Sequence, residues 1–158
     1  MFKVGDKVVY PMHGAGVIEA IEDREVLGSK RKYYILRFPL GDMKVMIPLE
    51  SERAVGLREV IDEKGIQEVI KILKEPKGSG SGNWNRRYRA NLEKMRSGSI
   101  YQVAEVVGNL ARQDHDRGLS TGERKMLESA RQMLISELVL ARNTERNQVE
   151  NLLEKLLA

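Results

Sequence analysis

The residues best suited to chemistry lie in the segment Asn83-Trp-Asn-Arg-Arg-Tyr-Arg89, which contains the only tryptophan of the chain. Residues 83–97 include five lysines or arginines and one glutamate, a net charge of +4 that equals the formal net charge of the whole protein. Clustered positive charge displaces the counterions condensed on a polyanion, and aromatic rings contact bases. The segment therefore predicts binding to nucleic acid.

The hydrophilic neighbours of Trp84 favour an indole at the edge of its domain. A ring in that position can wedge against an unstacked base step in a minor groove, while Arg86, Arg87 and Arg89 neutralise phosphates. The alternative is a buried indole that anchors the start of a helix, since aromatic residues usually bury. Tyr88, one helical turn further along the apolar stripe, is expected to pack in the core.

Arg124 and Lys125 are a second candidate phosphate contact. They follow Ser120-Thr-Gly-Glu123, which has the spacing of a capping box at the start of a helix. Positive side chains at a helix start oppose the helix dipole, and a phosphate nearby would resolve that conflict. The alternative is two solvated charges offset by neighbouring glutamates.

Catalytic and metal sites are poorly supported by the sequence. His13 and His115 are the only histidines, they fall in different predicted domains, and the chain has no cysteine. The residue types of a catalytic triad occur at Asp114, His115, Asp116 and Ser120. Adjacent positions on a helix point in different directions, however, and the serine already has a capping role. We therefore expect no enzymatic activity, no metal and no cofactor.

The composition indicates a reducing compartment. The 158 residues include no cysteine, which excludes disulfides and suits a cytoplasmic protein. No apolar run approaches the roughly 20 residues of a membrane span, and the N-terminus lacks the long apolar region of a signal peptide. We expect a cytoplasmic location.

The first third of the chain has the pattern of β-strands. Short β-rich runs broken by glycine and proline predict antiparallel strands at residues 7–10, 16–21, 32–38 and 43–47. The expected turns are Gly28-Ser29 and Gly41-Asp42, because these residue types favour turns with positive φ. A small, strongly bent barrel of the SH3 or Tudor type fits this size.

The hydrophobic period becomes helical after residue 57, and apolar stripes predict four or five helices. The predicted boundaries are an end at Pro76, a start near Trp84 with Asn83 as N-cap, an end at Gly118, and starts at Ser120 and Thr144. The Gly/Ser tract within residues 77–82 is expected to form a flexible loop. The prediction is an α+β protein with one domain at 1–57 and a helical domain at 58–158.

Three separated motifs are Phe2-Lys-Val-Gly-Asp-Lys-Val-Val-Tyr-Pro-Met-His-Gly-Ala-Gly16, Asn83-Trp-Asn-Arg-Arg-Tyr-Arg-Ala-Asn-Leu-Glu-Lys94 and Arg117-Gly-Leu-Ser-Thr-Gly-Glu-Arg-Lys-Met-Leu127. Together and in this order they closely resemble the CarD/CdnL family of bacterial transcription regulators, and the match runs essentially end to end. The resemblance implies a Tudor-like domain over residues 1 to about 55 that binds the β subunit of RNA polymerase, a module shared with transcription-repair coupling factors. It implies that the helical remainder contacts promoter DNA.

The resemblance also implies roles in DNA binding. In the family, the tryptophan corresponding to Trp84 wedges into the minor groove at the upstream edge of the transcription bubble and stabilises the open complex. Basic positions that match Arg86, Arg89 and Arg124 support it on the DNA backbone.

On the polymerase side, Arg24 and Val26 match family positions used against the β subunit. The edge strand ending near Ile47 is expected to pair with that subunit. Met46 departs from the family pattern, because some members carry arginine there, so one charged contact is lost or replaced.

The sequence therefore predicts a regulator that binds RNA polymerase and promoter DNA. Its own DNA binding should be weak and salt-sensitive, so tethering through polymerase raises the local DNA concentration. Preference for distorted DNA then shifts the closed-to-open equilibrium. The alternatives are a general nucleoid-type DNA-binding protein and an interaction adaptor with a buried tryptophan. A monomer is expected, with strand pairing or swapping through exposed sheet edges as the other possibility.

Overall fold

A computed structural model describes residues 1–76 and 83–158, and within them a β module is followed by helices. The elements are β1 (Lys7–Tyr10), β2 (Gly14–Val26), β3 (Ser29–Phe38), β4 (Met43–Pro48), β5 (Arg58–Glu59), α1 (Glu63–Lys74), α2 (Trp84–Arg96), α3 (Ile100–Arg117), α4 (Thr121–Arg142) and α5 (Arg146–Leu157). The predicted α+β class, with a Tudor-like β module before the helices, is confirmed. The loop predicted at 77–82 lies outside the described residues.

The five strands form one antiparallel sheet in the order β4-β3-β2-β1-β5. The register of β2 against β3 shifts between Ile18 and Ala20, an irregularity of the kind that bends a strand. One face of the sheet buries the core residues Val8, Ile18, Tyr34, Leu36, Phe38, Ile47 and Leu57. Strand β4 lies at one edge of this sheet.

The turn between β2 and β3 lies one residue earlier than predicted. Val26 pairs with Ser29, so the turn consists of Leu27 and Gly28 rather than Gly28 and Ser29. Both turn residues have positive φ, 52° at Leu27 and 81° at Gly28. The prediction failed because leucine rarely adopts this conformation, whereas the two-residue loop imposes it at both positions.

Several other boundaries also differ from the prediction. Strands β2 and β3 extend beyond the apolar runs, because their charged ends continue to pair in a hairpin. The last helix begins at Arg146 rather than Thr144. The two-residue strand β5, which pairs with β1, had no recognisable pattern.

The helices surround an apolar core to which all five contribute. Two predicted helix starts are confirmed by hydrogen bonds. Asn83 Oδ1 accepts from the backbone N–H of Arg86 at 2.9 Å. At the start of α4, Ser120 Oγ accepts from Glu123 N at 3.2 Å while Glu123 Oε1 accepts from Ser120 N at 3.1 Å, which completes the capping box.

The sheet packs directly on α4. Ala15 and Val9 from the strands form a small apolar cluster with Leu140 from α4. The backbone N–H of Ala15 donates to Ser136 Oγ at 3.0 Å, and Lys7 Nζ donates to the carbonyl oxygen of Leu140 at 2.9 Å. Helix α4 thus joins the β module to the helical core. Over residues 1–76 and 83–158, the helices are too short or too polar to cross a bilayer.

Candidate nucleic-acid interface

Trp84 is the first residue of α2 and remains partly exposed, with 41% of its surface accessible. Its ring stacks on Tyr88, with centroids 5.0 Å apart and planes inclined by 20°. Tyr88 is half-buried against the helical core. The indole therefore lies at the edge of the domain, with one face supported by a second aromatic ring.

The start of α4 contacts the same indole. Trp84 Nε1 donates to Ser120 Oγ at 3.1 Å. A Cβ placed at Gly122 would lie 3.7 Å from Trp84 Cζ2 and 3.5 Å from Tyr88 Cε1, so this glycine borders both rings. Since Trp84 and Ser120 each stand at a helix start, the positive ends of two helix dipoles meet at this surface.

Glu123 is a buried carboxylate beneath this junction, with 4% of its surface exposed. Burial disfavours its charged form, but hydrogen bonds from the Ser120 backbone and the Gln113 amide outweigh burial and lower the pKa of Glu123. The Trp84 indole N–H also contributes to this lowering. The carboxylate that accepts the backbone hydrogen bond at the start of α4 is thus shielded from solvent.

The basic residues of α2 occupy two environments. Arg86 and Arg89 are exposed and line one shallow groove, together with Asn83, Asn85, Ala90 and Glu93. Arg87 is half-buried, and its Nε is shielded from solvent. Arg86 and Arg89 are therefore the more accessible of the three predicted phosphate contacts.

Arg124 and Lys125 are both exposed near the start of α4, on the helix that contacts Trp84. Arg124 Nη2 lies 3.8 Å from Asp114 Oδ1, an ion pair across solvent-exposed surface. The two basic segments of the sequence therefore lie on two helices whose starts meet at the Trp84 indole.

Two of the residues that could form a catalytic triad make other contacts in the structure. Asp114 pairs with Arg124, and the Ser120 hydroxyl accepts from Trp84 and Glu123. Among the described hydrogen bonds and ion pairs, His115 has a link to neither Asp114 nor Ser120.

The predicted polymerase contacts lie on the sheet, away from the capping box. Arg24 is exposed near the end of β2 and donates to Glu22 Oε2 at 2.6 and 2.9 Å. Val26 and Met46 are exposed, at 41% and 44%. Ile47 is buried in the β core, so only its backbone on edge strand β4 is available to a partner.

The contact between the indole and the start of α4 was not anticipated from the sequence. Trp84 and Ser120 are 36 residues apart, and each position carries a complete local explanation as a helix start or cap. Periodicity predicts which residues share one helix face, but it carries no information on which helix ends meet.

Comparisons with known proteins cover both parts of the chain. Residues 2–61 match the family model "CarD-like/TRCF RID domain", and residues 68–154 match "CarD, C-terminal domain". A curated relative from Bacillus subtilis (strain 168), "Putative transcription factor YdeB", is 38% identical over 151 residues, which cover 96% of this chain and 99% of that protein.

Two solved structures from Myxococcus xanthus are similar to part of the chain. The solution NMR structure of the 72-residue N-terminal domain of CarD is 36% identical, with a TM-score of 0.33, covering 37% of this chain and 79% of that one. The structure of CdnLNt is 44% identical, with a TM-score of 0.34, covering 40% of this chain and 89% of that one.

The family models together match most of the chain, and the Bacillus relative extends over nearly its whole length. The family consists of transcription factors and is not an enzyme class. The chain belongs to the CarD/CdnL family of transcription regulators.

Proposed function

We propose that this protein binds the β subunit of RNA polymerase through its N-terminal sheet and stabilises the promoter open complex with Trp84. The observation that carries the proposal is the partly exposed indole, which lies where the starts of α2 and α4 meet. Both of these helices carry exposed arginines. An interaction adaptor with a sealed tryptophan would lack this accessible ring.

The chemistry of the surface suits melting duplex DNA. An apolar ring supported by Tyr88 can enter an unstacked base step from the minor groove. Arg86, Arg89 and Arg124 are exposed and can neutralise phosphates on either side, with Arg87 and Lys125 adding to the local positive charge. Such contacts are largely independent of base sequence, because they are made to the backbone and to DNA shape.

Polymerase supplies the affinity that this small surface lacks. The exposed edge of β4 can accept an added strand from the β subunit, and Met46 on this strand has an exposed side chain. Arg24 and Val26 are exposed at the end of β2, which β3 separates from β4, and they would form a second contact. Once tethered, the protein favours open over closed promoter DNA by the difference in its affinity for the two states. Because this mechanism acts on RNA polymerase and promoter DNA, it places the protein in the cytoplasm. It requires no catalysed reaction.

The decisive experiment compares Trp84→Ala with the unmodified protein. We expect the variant to fold and to bind polymerase, but to lose most of the increase in open-complex lifetime, measured by competitor challenge of promoter complexes. A folded variant that prolongs the open complex as well as the unmodified protein does would refute the wedge.

Polymerase docking is tested on β4 with a pair of variants. Met46→Asp places a charge on one face of the edge strand, and we expect weaker binding to the β subunit. Met43→Asp is the matched control, because it is comparably exposed, at 51%, but lies three residues away and hence on the opposite face. Equal loss in both variants would show that the effect is not specific to the proposed face.

The rival function is that of a general DNA-binding protein. Gel shifts on promoter DNA with and without polymerase separate the two. We expect weak, salt-sensitive binding to DNA alone and clear binding when polymerase is present. High affinity for free DNA that polymerase does not change would favour the rival.

A further inference from the structure

We propose that Ser120 is a positioning residue for the Trp84 indole, holding the ring in the orientation in which it meets DNA. This inference rests on the proposed wedge function and adds to it a residue from a different helix. The proposal is based on one hydroxyl oxygen, which accepts hydrogen bonds both from the backbone at the start of α4 and from the indole.

The Ser120 hydroxyl has two acceptor positions, and the structure uses both. Trp84 Nε1 donates to Ser120 Oγ at 3.1 Å, and Glu123 N donates to the same atom at 3.2 Å. The oxygen is itself held in place, because Ser120 is locked by the reciprocal hydrogen bond from its backbone N–H to Glu123. The indole therefore bonds to a fixed point of the fold rather than to a mobile surface side chain.

Three contacts together constrain the ring. Ser120 fixes the N–H edge, Tyr88 covers one face, and Gly122 borders the benzene edge. An indole side chain has two rotatable bonds, and contacts in three directions restrict both. A ring ordered before binding loses less conformational entropy when it enters DNA, so the same DNA contacts give tighter binding.

The fixed point also relates the ring to the rest of the molecule. Helix α4 continues from Ser120 to Ser136, which bonds to the sheet. These 16 residues correspond to about 24 Å of straight helix. A ring anchored to the start of α4 therefore keeps a defined distance from the sheet that is proposed to dock on polymerase.

The test variant is Ser120→Gly, because glycine is also favourable as an N-cap but has no side-chain acceptor. We expect the gain in open-complex lifetime to fall about two- to tenfold, the range for loss of one neutral hydrogen bond. Polymerase affinity should be unchanged, and Ser120→Thr, which restores a hydroxyl, should recover the lifetime. Ser99→Gly is the matched control, since Ser99 is the N-cap of α3 without a side-chain cap bond.

The single tryptophan gives a direct structural measurement on the same variants. The one indole N–H resonance should shift and exchange faster with solvent in Ser120→Gly, and should return towards its original behaviour in Ser120→Thr. This reading does not depend on polymerase or DNA.

The outcomes separate the two proposals. If Trp84→Ala shortens the open complex but Ser120→Gly leaves its lifetime unchanged, the role of Ser120 is wrong and the wedge survives. If Ser120→Gly shortens the lifetime without altering the indole resonance, or if Ser120→Thr fails to rescue it, the effect belongs to the helix start and the positioning role is also overturned. If Trp84→Ala has no effect, the wedge fails whatever the resonance shows.

Discussion

Arg58 and Glu137 form a bidentate ion pair that joins the β module to the helical domain. Arg58 Nη1 and Nη2 donate to the two carboxylate oxygens at 2.8 and 2.7 Å, and Glu137 retains only 1% exposure. Glu137 Oε2 also accepts from Ile61 N at 2.9 Å, and Arg58 Nε donates to the carbonyl oxygen of Gly98 at 2.7 Å. The pair thus lies near the C-terminal end of α4, and the N-terminal end of the same helix contacts Trp84.

Loss of this pair should destabilise the whole chain. Glu137→Gln leaves the Arg58 guanidinium without its counter-charge, and we expect a decrease of about 3 kcal/mol in the free energy of unfolding. This value is at the low end for a buried pair, because the Arg58 side chain keeps 29% exposure and is partly screened. Urea unfolding of the full chain measures it.

Glu150→Gln is the matched control for Glu137→Gln. It makes the same chemical change in the exposed i,i+4 pair with Arg146. We expect a loss of at most about 1 kcal/mol there. Similar small losses in both variants would mean that the Arg58–Glu137 pair contributes little to joining the two parts.

Interactions between residues close in the sequence could be predicted, whereas those between distant residues could not. The caps at Asn83 and Ser120 were predictable, because donor and acceptor lie within one helical turn. The Arg58–Glu137 pair spans 79 residues, and the periodicity of neither segment marks it. The tertiary fold brings the two charges together, and Glu137 is buried in the resulting ion pair.

The same distinction applies to the candidate site. From the sequence, Trp84 could lie at the edge of its domain or anchor the helix start from the interior, and the structure places it partly exposed next to a half-buried Tyr88. The support that Ser120 and Gly122 give to the ring comes from another helix. Sequence reasoning therefore proposed the side chains of the candidate site, while their orientation needed the fold.

Leu27 offers a stability test of the hairpin turn that was predicted one residue late. It is fully exposed with φ of 52°, a conformation that costs a leucine about 1–2 kcal/mol. Leu27→Asn creates Asn-Gly, the preferred sequence for a two-residue hairpin turn. We expect the free energy of unfolding to rise by about 1 kcal/mol, measured by thermal and urea unfolding. Leu27→Ala should give little of this gain, and an equal gain there would point to lost exposed apolar surface instead.

Gly122 tests the contact between α4 and the two rings. Alanine there would place its Cβ at ordinary contact distance, 3.5 Å from Tyr88 and 3.7 Å from Trp84. Gly122→Ala should stabilise the protein by at most about 0.5–1 kcal/mol through helix propensity, because Gly122 lies in the first turn of α4, with a further gain from the ring contacts.

Gly108→Ala is the control for the propensity effect of Gly122→Ala. It lies in α3, and its Cβ would also meet ordinary contacts, the nearest being Pro76 Cβ at 3.5 Å. A larger gain at Gly122 than at Gly108 would show the added ring packing. A loss at Gly122 would mean that the aromatic pair is too tightly placed to accept a methyl group.

Glu123 predicts a pH dependence of stability. Burial opposes its ionisation, but its hydrogen bonds hold the pKa below the ordinary value of 4.5. The folded chain then binds fewer protons than the unfolded chain, so this contribution is complete above about pH 4.5 and is lost as pH falls through the folded pKa. Glu123→Gln removes the titration but keeps an amide oxygen for the capping box. Urea unfolding across this acidic range should show that the difference in free energy of unfolding between the unmodified protein and Glu123→Gln decreases as the pH falls. A difference that stays constant with pH would contradict the lowered pKa of Glu123.

Asp114 tests whether Arg124 contacts DNA. The Asp114 carboxylate lies 3.8 Å from the Arg124 guanidinium, and both side chains are well exposed. Asp114→Asn removes the competing anion, so the proposed phosphate contact should strengthen. We expect tighter binding to forked promoter DNA and a plot of log K against log salt that is steeper by up to about 0.9. Anisotropy titrations at several salt concentrations measure both.

Asp116→Asn is the control. It removes the same charge from the same helix, but no described ion pair links Asp116 to Arg124, so its effect should be smaller. Equal effects would indicate a general electrostatic field instead of a contact made by Arg124.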